Sequence, residues 1–298
     1  MKNKFIFLIL MSTTIILFNM PGIFAPGPNF HANITRSILL EPVTNDTLIS
    51  KLINENFDAC LVGLEYPDVG IFEYYTNFKD YAGMHNYNVP DEMLRVARND
   101  RDRAFAYCYK LHLAVDSVSH NFFVPVAIKR TKLPNYLIHP IVELKIEGRY
   151  LIPISNHMME KHVEFDWLVE QSTGRDWSKE ADKLNIIIGG GQFYSKAYNP
   201  DTGTTWGKIQ NQFYKILIKV VPVTTEVDLK KLSEEEVRAV LRGETNDLNP
   251  SGELSLNNAD KSTQLWLYVG SILIIIVIFI LSFYFRIIGF NSKSWRQK

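Results

Sequence analysis

Apolar residues recur three and four apart along most long segments of this chain, and the two-residue alternation of strands is hardly sustained anywhere, so the pattern predicts helices. A first helix is expected over 31–40, stopped by Pro42. A second starts after the capping residues Asn45 and Asp46 and runs through Leu48, Leu52 and Ile53 towards Leu64. A third begins after Pro90 with Met93, Leu94, Val96 and Ala97, then continues or restarts beyond the charged run 98–103 as 104–123. That last stretch is apolar on nearly every side, as expected of a helix buried in the middle of a domain. Further helical patterns lie around 134–150, 158–171 and 206–219. Ser233 with Glu236 makes a capping box that opens a short amphipathic helix ending near Gly243. The expected fold class is all-α, a multi-helix domain over 26–243.

The two ends decide which solvent this domain meets. Lys2 and Lys4 precede an uncharged apolar stretch from Phe5 to Phe18, then Pro21, Gly22 and small residues. This is the order of an export signal over 1–25, either cleaved near Ala25 or kept as a signal-anchor. Residues 244–263 turn polar and rich in Asn, Ser, Asp and Gly, which reads as a flexible stalk. Within 264–286, Leu265 to Phe285 is uninterrupted apolar sequence, long enough to cross a hydrocarbon core of roughly 30 Å as a helix, with Trp266, Tyr268 and Tyr284 near its ends. Arg286 and the tail 287–298, with Lys293, Arg296 and Lys298 and no acid, are expected in the cytoplasm. A single-pass protein of the cell membrane follows, its domain facing outward.

Charge and cysteines narrow the partners. The 32 basic and 32 acidic residues cancel, so the basic excess that a nucleic-acid partner calls for is missing. Cys60 and Cys108 are the only cysteines, too few for a disulfide scaffold or a cysteine metal site. In an oxidising compartment they pair if their geometry allows it.

Within the buried helix, His112, Asp116 and His120 recur every fourth residue and project from one face. Leu111, Leu113, Val115, Val118, Phe122 and Phe123 surround them, so the ladder is expected to point into the protein. Burying two imidazoles and a carboxylate without partners costs several kcal/mol, on the order of the transfer penalty of polar groups. A bound cation removes that cost, and imidazole and carboxylate are zinc ligands. His139 and Glu143 repeat the spacing in HPIVE. His31 in the first helix, Asp68 after Pro67 in LEYPD, and His85 in the loop-like GMHNYN add three more candidates. His157 and His162, with Glu164 and Asp166, form a reserve pair, although MEKHVE reads equally as a solvated helix face. Asn249 is no glycosylation acceptor, because Pro250 follows it.

Over roughly 31–147 this set resembles the zinc-dependent phospholipase C family, helical enzymes related to fungal single-strand nucleases and to glycosylphosphatidylinositol phospholipase D. The resemblance rests on an early His before Ile-Thr, a Pro-Asp after a helix, an isolated His, then HxxxD and HxxxE, here His31, Asp68, His85, His112 with Asp116, and His139 with Glu143. It implies a site for up to three zinc ions. Asp68, His85, His112 and Asp116 would hold the first. Asp116 would bridge to a second, held by His31 and the chain's N-terminal amine and carbonyl. His120, His139 and Glu143 would hold the third.

Such a cluster suits phosphodiester hydrolysis, because it acidifies water and neutralises phosphate oxygens, with Asp68 and Asp116 as the catalytic carboxylates. Tethering near a bilayer makes phospholipid the expected substrate and partner, with no nucleic acid. The alternatives are an extracellular zinc nuclease or nucleotidase with the same site and a non-catalytic zinc-binding receptor module.

Overall fold

The computed structural model describes residues 28–41, 47–73, 78–126, 159–189, 226–244 and 248–250, all within one compact unit, Gly22–Leu254. The elements are α1 (Pro28–Leu39), α2 (Leu48–Glu55), α3 (Phe57–Glu65), a 3-10 stretch Tyr66–Glu73, α4 (Phe78–Met84), α5 (Asn88–Val96) and α6 (Asp100–Val118). A π turn Ser119–Phe123, a 3-10 stretch Met159–Glu164, α7 (Asp166–Thr173), α8 (Ser178–Gly189) and α9 (Glu226–Leu241) follow. No strand occurs among the described residues, and the fold class is all-α.

Local chemistry explains where the helices break. The second expected helix is two, α2 and α3, with Asn56 closing one and opening the next. Its cap is Thr47, whose hydroxyl accepts from the Ser50 N–H at 3.0 Å, in place of Asn45 or Asp46. The third also restarts. Asn99 caps α6 by accepting from the Asp102 N–H at 3.0 Å, while Asp102 accepts from the N–H of Arg98, just before the cap, at 2.8 Å, so the charged run itself opens the helix. The box expected at Ser233 is absent, since α9 begins seven residues earlier and Ser233 lies buried inside it. Gly243, with φ of 78°, closes the region after α9 as expected.

α6 is the axis of the domain, and it packs most extensively on α3, then on α9 and α5. Gly63 makes the α3 contact possible, because a Cβ there would sit 2.3 Å from the Phe105 carbonyl oxygen. One face of α6 meets Phe30, Ile34, Ile38, Leu64, Val237 and Leu241. The other meets Tyr66, Met93, Phe165, Leu168 and Trp177, with Phe105 stacked on Phe165 at 4.4 Å between ring centroids. Burial on both faces is why the sequence of α6 is apolar nearly all round. Cys60 and Cys108 form a disulfide that ties α3 to α6.

Among the described residues no helix is long and apolar enough to cross a membrane. The signal expected over 1–25, the apolar run in 264–286, the basic tail, and the helical patterns around 134–150 and 206–219 lie outside the described residues. Residues read as stalk return to the domain at 248–250, where Pro250 is buried.

Candidate metal centre

Five of the expected ligands come together. α1 carries His31, the 3-10 stretch after α3 carries Asp68, the turn after α4 carries His85, and α6 carries His112 and Asp116. All are buried. His112 Nε2 lies 3.0 Å from Asp116 Oδ2 and 3.7 Å from Asp68 Oδ1. His85 Nε2 lies 3.4 Å from Asp116 Oδ2 and 4.0 Å from Asp68 Oδ1. Ligand atoms of these four residues all fall within 4.8 Å of one another. Tetrahedral ligands about 2.0–2.2 Å from an ion sit about 3.3–3.6 Å apart, so the spacing is close to a coordination sphere. Asp116 turns its other oxygen to a different side, where Oδ1 is 3.3 Å from His31 Nε2.

His112 Nε2 and both Asp116 oxygens, though close, are not aligned as hydrogen-bond donor and acceptor. The outer edge of the His112 ring is engaged instead. His112 Nδ1 is 2.7 Å from the Leu64 carbonyl, and since a carbonyl only accepts, Nδ1 keeps its proton, so the proton that the ring gives up on becoming neutral leaves from Nε2 and bares an inward lone pair. Metal-binding histidines are usually oriented this way, by an outward hydrogen bond. His31 stacks flat on His112, with centroids 4.0 Å apart and 9° between planes.

The electrostatics of the metal-free cluster follow from burial and from the charges of its own members. Burial works against a charged His112, but Asp116 and Asp68 overcome it and hold its pKa up at about 9. Burial raises the Asp68 carboxyl to about 7, helped by the Asp116 charge. Burial, then the neighbouring His112, brings His31 down to about 4. Asp116 stays well below the usual carboxylate range despite burial, because His112 and His120 surround it. The donor set and the buried ligand atoms without hydrogen-bond partners fit a metal ion.

His120 is buried in the π turn, one turn beyond Asp116, and its charge acts on Asp116, His31 and His85. It does not belong to the four-residue set. The π turn, with the Val124 N–H bonded to the Ser119 carbonyl, replaces the regular helix expected through Phe123. His139, Glu143 and His157 lie outside the described residues. His162 is not on a solvated face: it is buried, with Nδ1 3.0 Å from both Asp166 oxygens and Nε2 3.1 Å from Asp182 Oδ1. The orienting carbonyls of Leu64 and Pro250 were not foreseen, because a backbone acceptor carries no residue-type signal. Comparison with protein-family models, curated proteins and solved structures finds no match.

Proposed function

We propose that this chain is a zinc-dependent phosphodiesterase of phospholipase C type, anchored in the cell membrane by 264–286 with its helical domain outside, hydrolysing phospholipid phosphodiester bonds. The observation that carries the reading is the convergence of Asp68, His85, His112 and Asp116 in one buried cluster, with His31 beside the other oxygen of Asp116. Asp68, His85, His112 and Asp116 would hold a first zinc ion, Asp116 and His31 with the N-terminal amine and carbonyl a second, and His120, His139 and Glu143 a third. Bound there, zinc lowers the pKa of water from 15.7 towards about 7 and neutralises charge on phosphate oxygens.

The chain's own residues supply position and proton transfer. The Asp68 side chain is 13% exposed where those of His31, His85, His112 and Asp116 are at 0%, so Asp68 stands at the rim. Burial lifts its carboxyl to about 7 in the metal-free site, and from the rim it would orient or deprotonate an attacking water. Asp116 stays ionised and keeps the flanking imidazoles in place. The Cys60–Cys108 disulfide supports an oxidising, extracytoplasmic compartment. Zero net charge and a tether close to the bilayer favour lipid over nucleic acid.

The test is turnover by the full chain in detergent micelles on phosphatidylcholine and on single-stranded DNA, with and without chelator. Lipid hydrolysis that chelator stops and zinc restores is expected. Activity on DNA alone would replace the reading with a surface nuclease or nucleotidase. Bound zinc with no turnover on either substrate would leave a non-catalytic zinc-binding module.

A further inference from the structure

Of the four residues in the buried cluster, His112 and Asp116 sit on α6 and are set in place by the helix itself. His85 lies off any helix, as the first residue beyond the C-terminal end of α4. α4 packs mainly on the 3-10 stretch Tyr66–Glu73. After His85 the chain turns on itself, with the Asn86 carbonyl accepting from the Val89 N–H at 3.0 Å and Asn86 Oδ1 from the Asn88 N–H at 2.9 Å. His85 Nε2 nevertheless comes to 3.4 Å from Asp116 Oδ2, which requires the end of α4 to be held at a set distance from α6.

Tyr109 makes that tie. Its hydroxyl donates to the Met84 carbonyl at 2.7 Å, and both residues are fully buried. The last carbonyls of a helix have no partner within it, and a buried one left unpaired is costly. Tyr109 meets that need at the peptide group that joins Met84 to His85. Tyr109, His112 and Asp116 are spaced three and four apart, so they follow one another along one face of α6. The same face thus carries two ligands and the donor that fixes the peptide of a third. The Tyr109 ring packs beside Phe105, with centroids 6.3 Å apart. Burial, and then the Asp68 charge, keep the phenol well above 10, so the hydroxyl stays a donor across the neutral range.

We infer that Tyr109 is a positioning residue of the metal centre, its bond to the Met84 carbonyl setting the backbone of His85 so that the ring reaches the ion shared with Asp68, His112 and Asp116. This rests on the zinc reading above. Tyr109 is not itself a ligand, and it acts through His85 alone.

The experiment measures zinc affinity on the full chain in detergent micelles, by competition with a chromophoric chelator, and the visible absorption of cobalt(II) taken up in place of zinc. The variants are Tyr109→Phe, Met84→Leu, His85→Asn, and the first combined with the last. Tyr109→Phe removes one hydroxyl and keeps the ring, and it is expected to weaken zinc by about tenfold, the lower end of the effect of losing a ligand's outer partner. Its cobalt spectrum should move towards that of His85→Asn. Met84→Leu disturbs the same packing but keeps the carbonyl, and it should retain the wild-type affinity and spectrum. In the His85→Asn background, loss of the hydroxyl should have no further effect on affinity, which a general loss of stability would not reproduce. The inference is overturned if Tyr109→Phe keeps the wild-type zinc affinity or cobalt spectrum, if Met84→Leu loses as much, or if the two changes add in the combined variant. If the wild-type chain binds no zinc, the metal reading falls and this inference with it.

Discussion

The chain uses the spacing HxxxD twice in helical sequence, at His112–Asp116 and at His162–Asp166, and the two pairs behave as opposites. At His162 both ring nitrogens point at carboxylates, Nδ1 at Asp166 and Nε2 at Asp182, and Tyr66 donates to Asp166 Oδ1 at 2.5 Å. The polar atoms satisfy each other, and a protonated ring completes the charge balance. At His112 the ring is turned over. Nδ1 goes to the Leu64 carbonyl, and Nε2 joins His85, Asp68 and Asp116 around a point that none of them fills. A four-residue spacing therefore brings an imidazole and a carboxylate together, but the partner of the far nitrogen decides between a closed ion pair and a ligand set. A carbonyl there leaves a lone pair facing inward, whereas a second acid removes it.

The most severe way to break this contrast is to change the aspartate of each pair. Asp116→Asn is expected to lower zinc affinity by more than 100-fold, since even an outer partner of a ligand is worth about 10–100-fold. Asp166→Asn should leave zinc content at the wild-type value. Metal analysis after dialysis reads both, and equal zinc loss in the two variants would erase the distinction. A second test addresses what holds the His112 ring. The disulfide joins Cys60 and Cys108, and each lies one helical turn before the partners Leu64 and His112. Changing both cysteines to alanine releases a loop of 48 residues and should cost about 3–4 kcal/mol by loop entropy, read by denaturant unfolding. Zinc affinity should fall with it, while the His162 pair, outside that tie, keeps its ring titration.

A smaller effect separates the pairs by pH. His112, held at about 9, must lose its proton to bind a cation, and Asp68, at about 7, adds a second proton below neutrality. Zinc affinity is therefore expected to rise with pH, by about tenfold per unit between 7 and 9 and more steeply below 7, with proton release on binding. Calorimetry in buffers of different ionisation enthalpy measures that release. Zinc uptake without protons would mean that His112 is already neutral.

Much of this was legible in the residues, and the failures have identifiable causes. Period and burial gave α6 and α1, because one face or all faces of a helix record what it packs against. The split at Asn56 and the early start of α9 escaped, since neither leaves a break in the apolar period that a strong cap would mark. Residue type and spacing made His31, Asp68, His85, His112 and Asp116 candidates, and the family resemblance implied that they gather. What spacing did not contain was ring orientation, and MEKHVE shows the cost. Lys161 and Val163 are exposed around His162, so the segment looks solvated while its histidine turns inward. The acid at the ring's far side, Asp182, sits on α8, a helix the pattern did not announce.

The same histidine supplies the mildest test. The hydrogen bond to Asp166 raises the His162 pKa above 6.5, and the Asp166 charge and Asp182 add to it against the cost of burial. A raised folded value means that the stabilisation is fully present below pH 6.5 and is lost as pH rises through that value. His162→Gln should therefore cost about 1–2 kcal/mol near pH 6, as for hydrogen bonds to charged groups, with the Asp182 arm counting little because that carboxylate is largely exposed. Near pH 9 the penalty should shrink, and zinc content should stay constant throughout. Urea unfolding of both proteins at the two pH values gives the difference. A penalty independent of pH would mean that His162 is held neutral, as a metal ligand would be, and the two HxxxD pairs would then be alike after all.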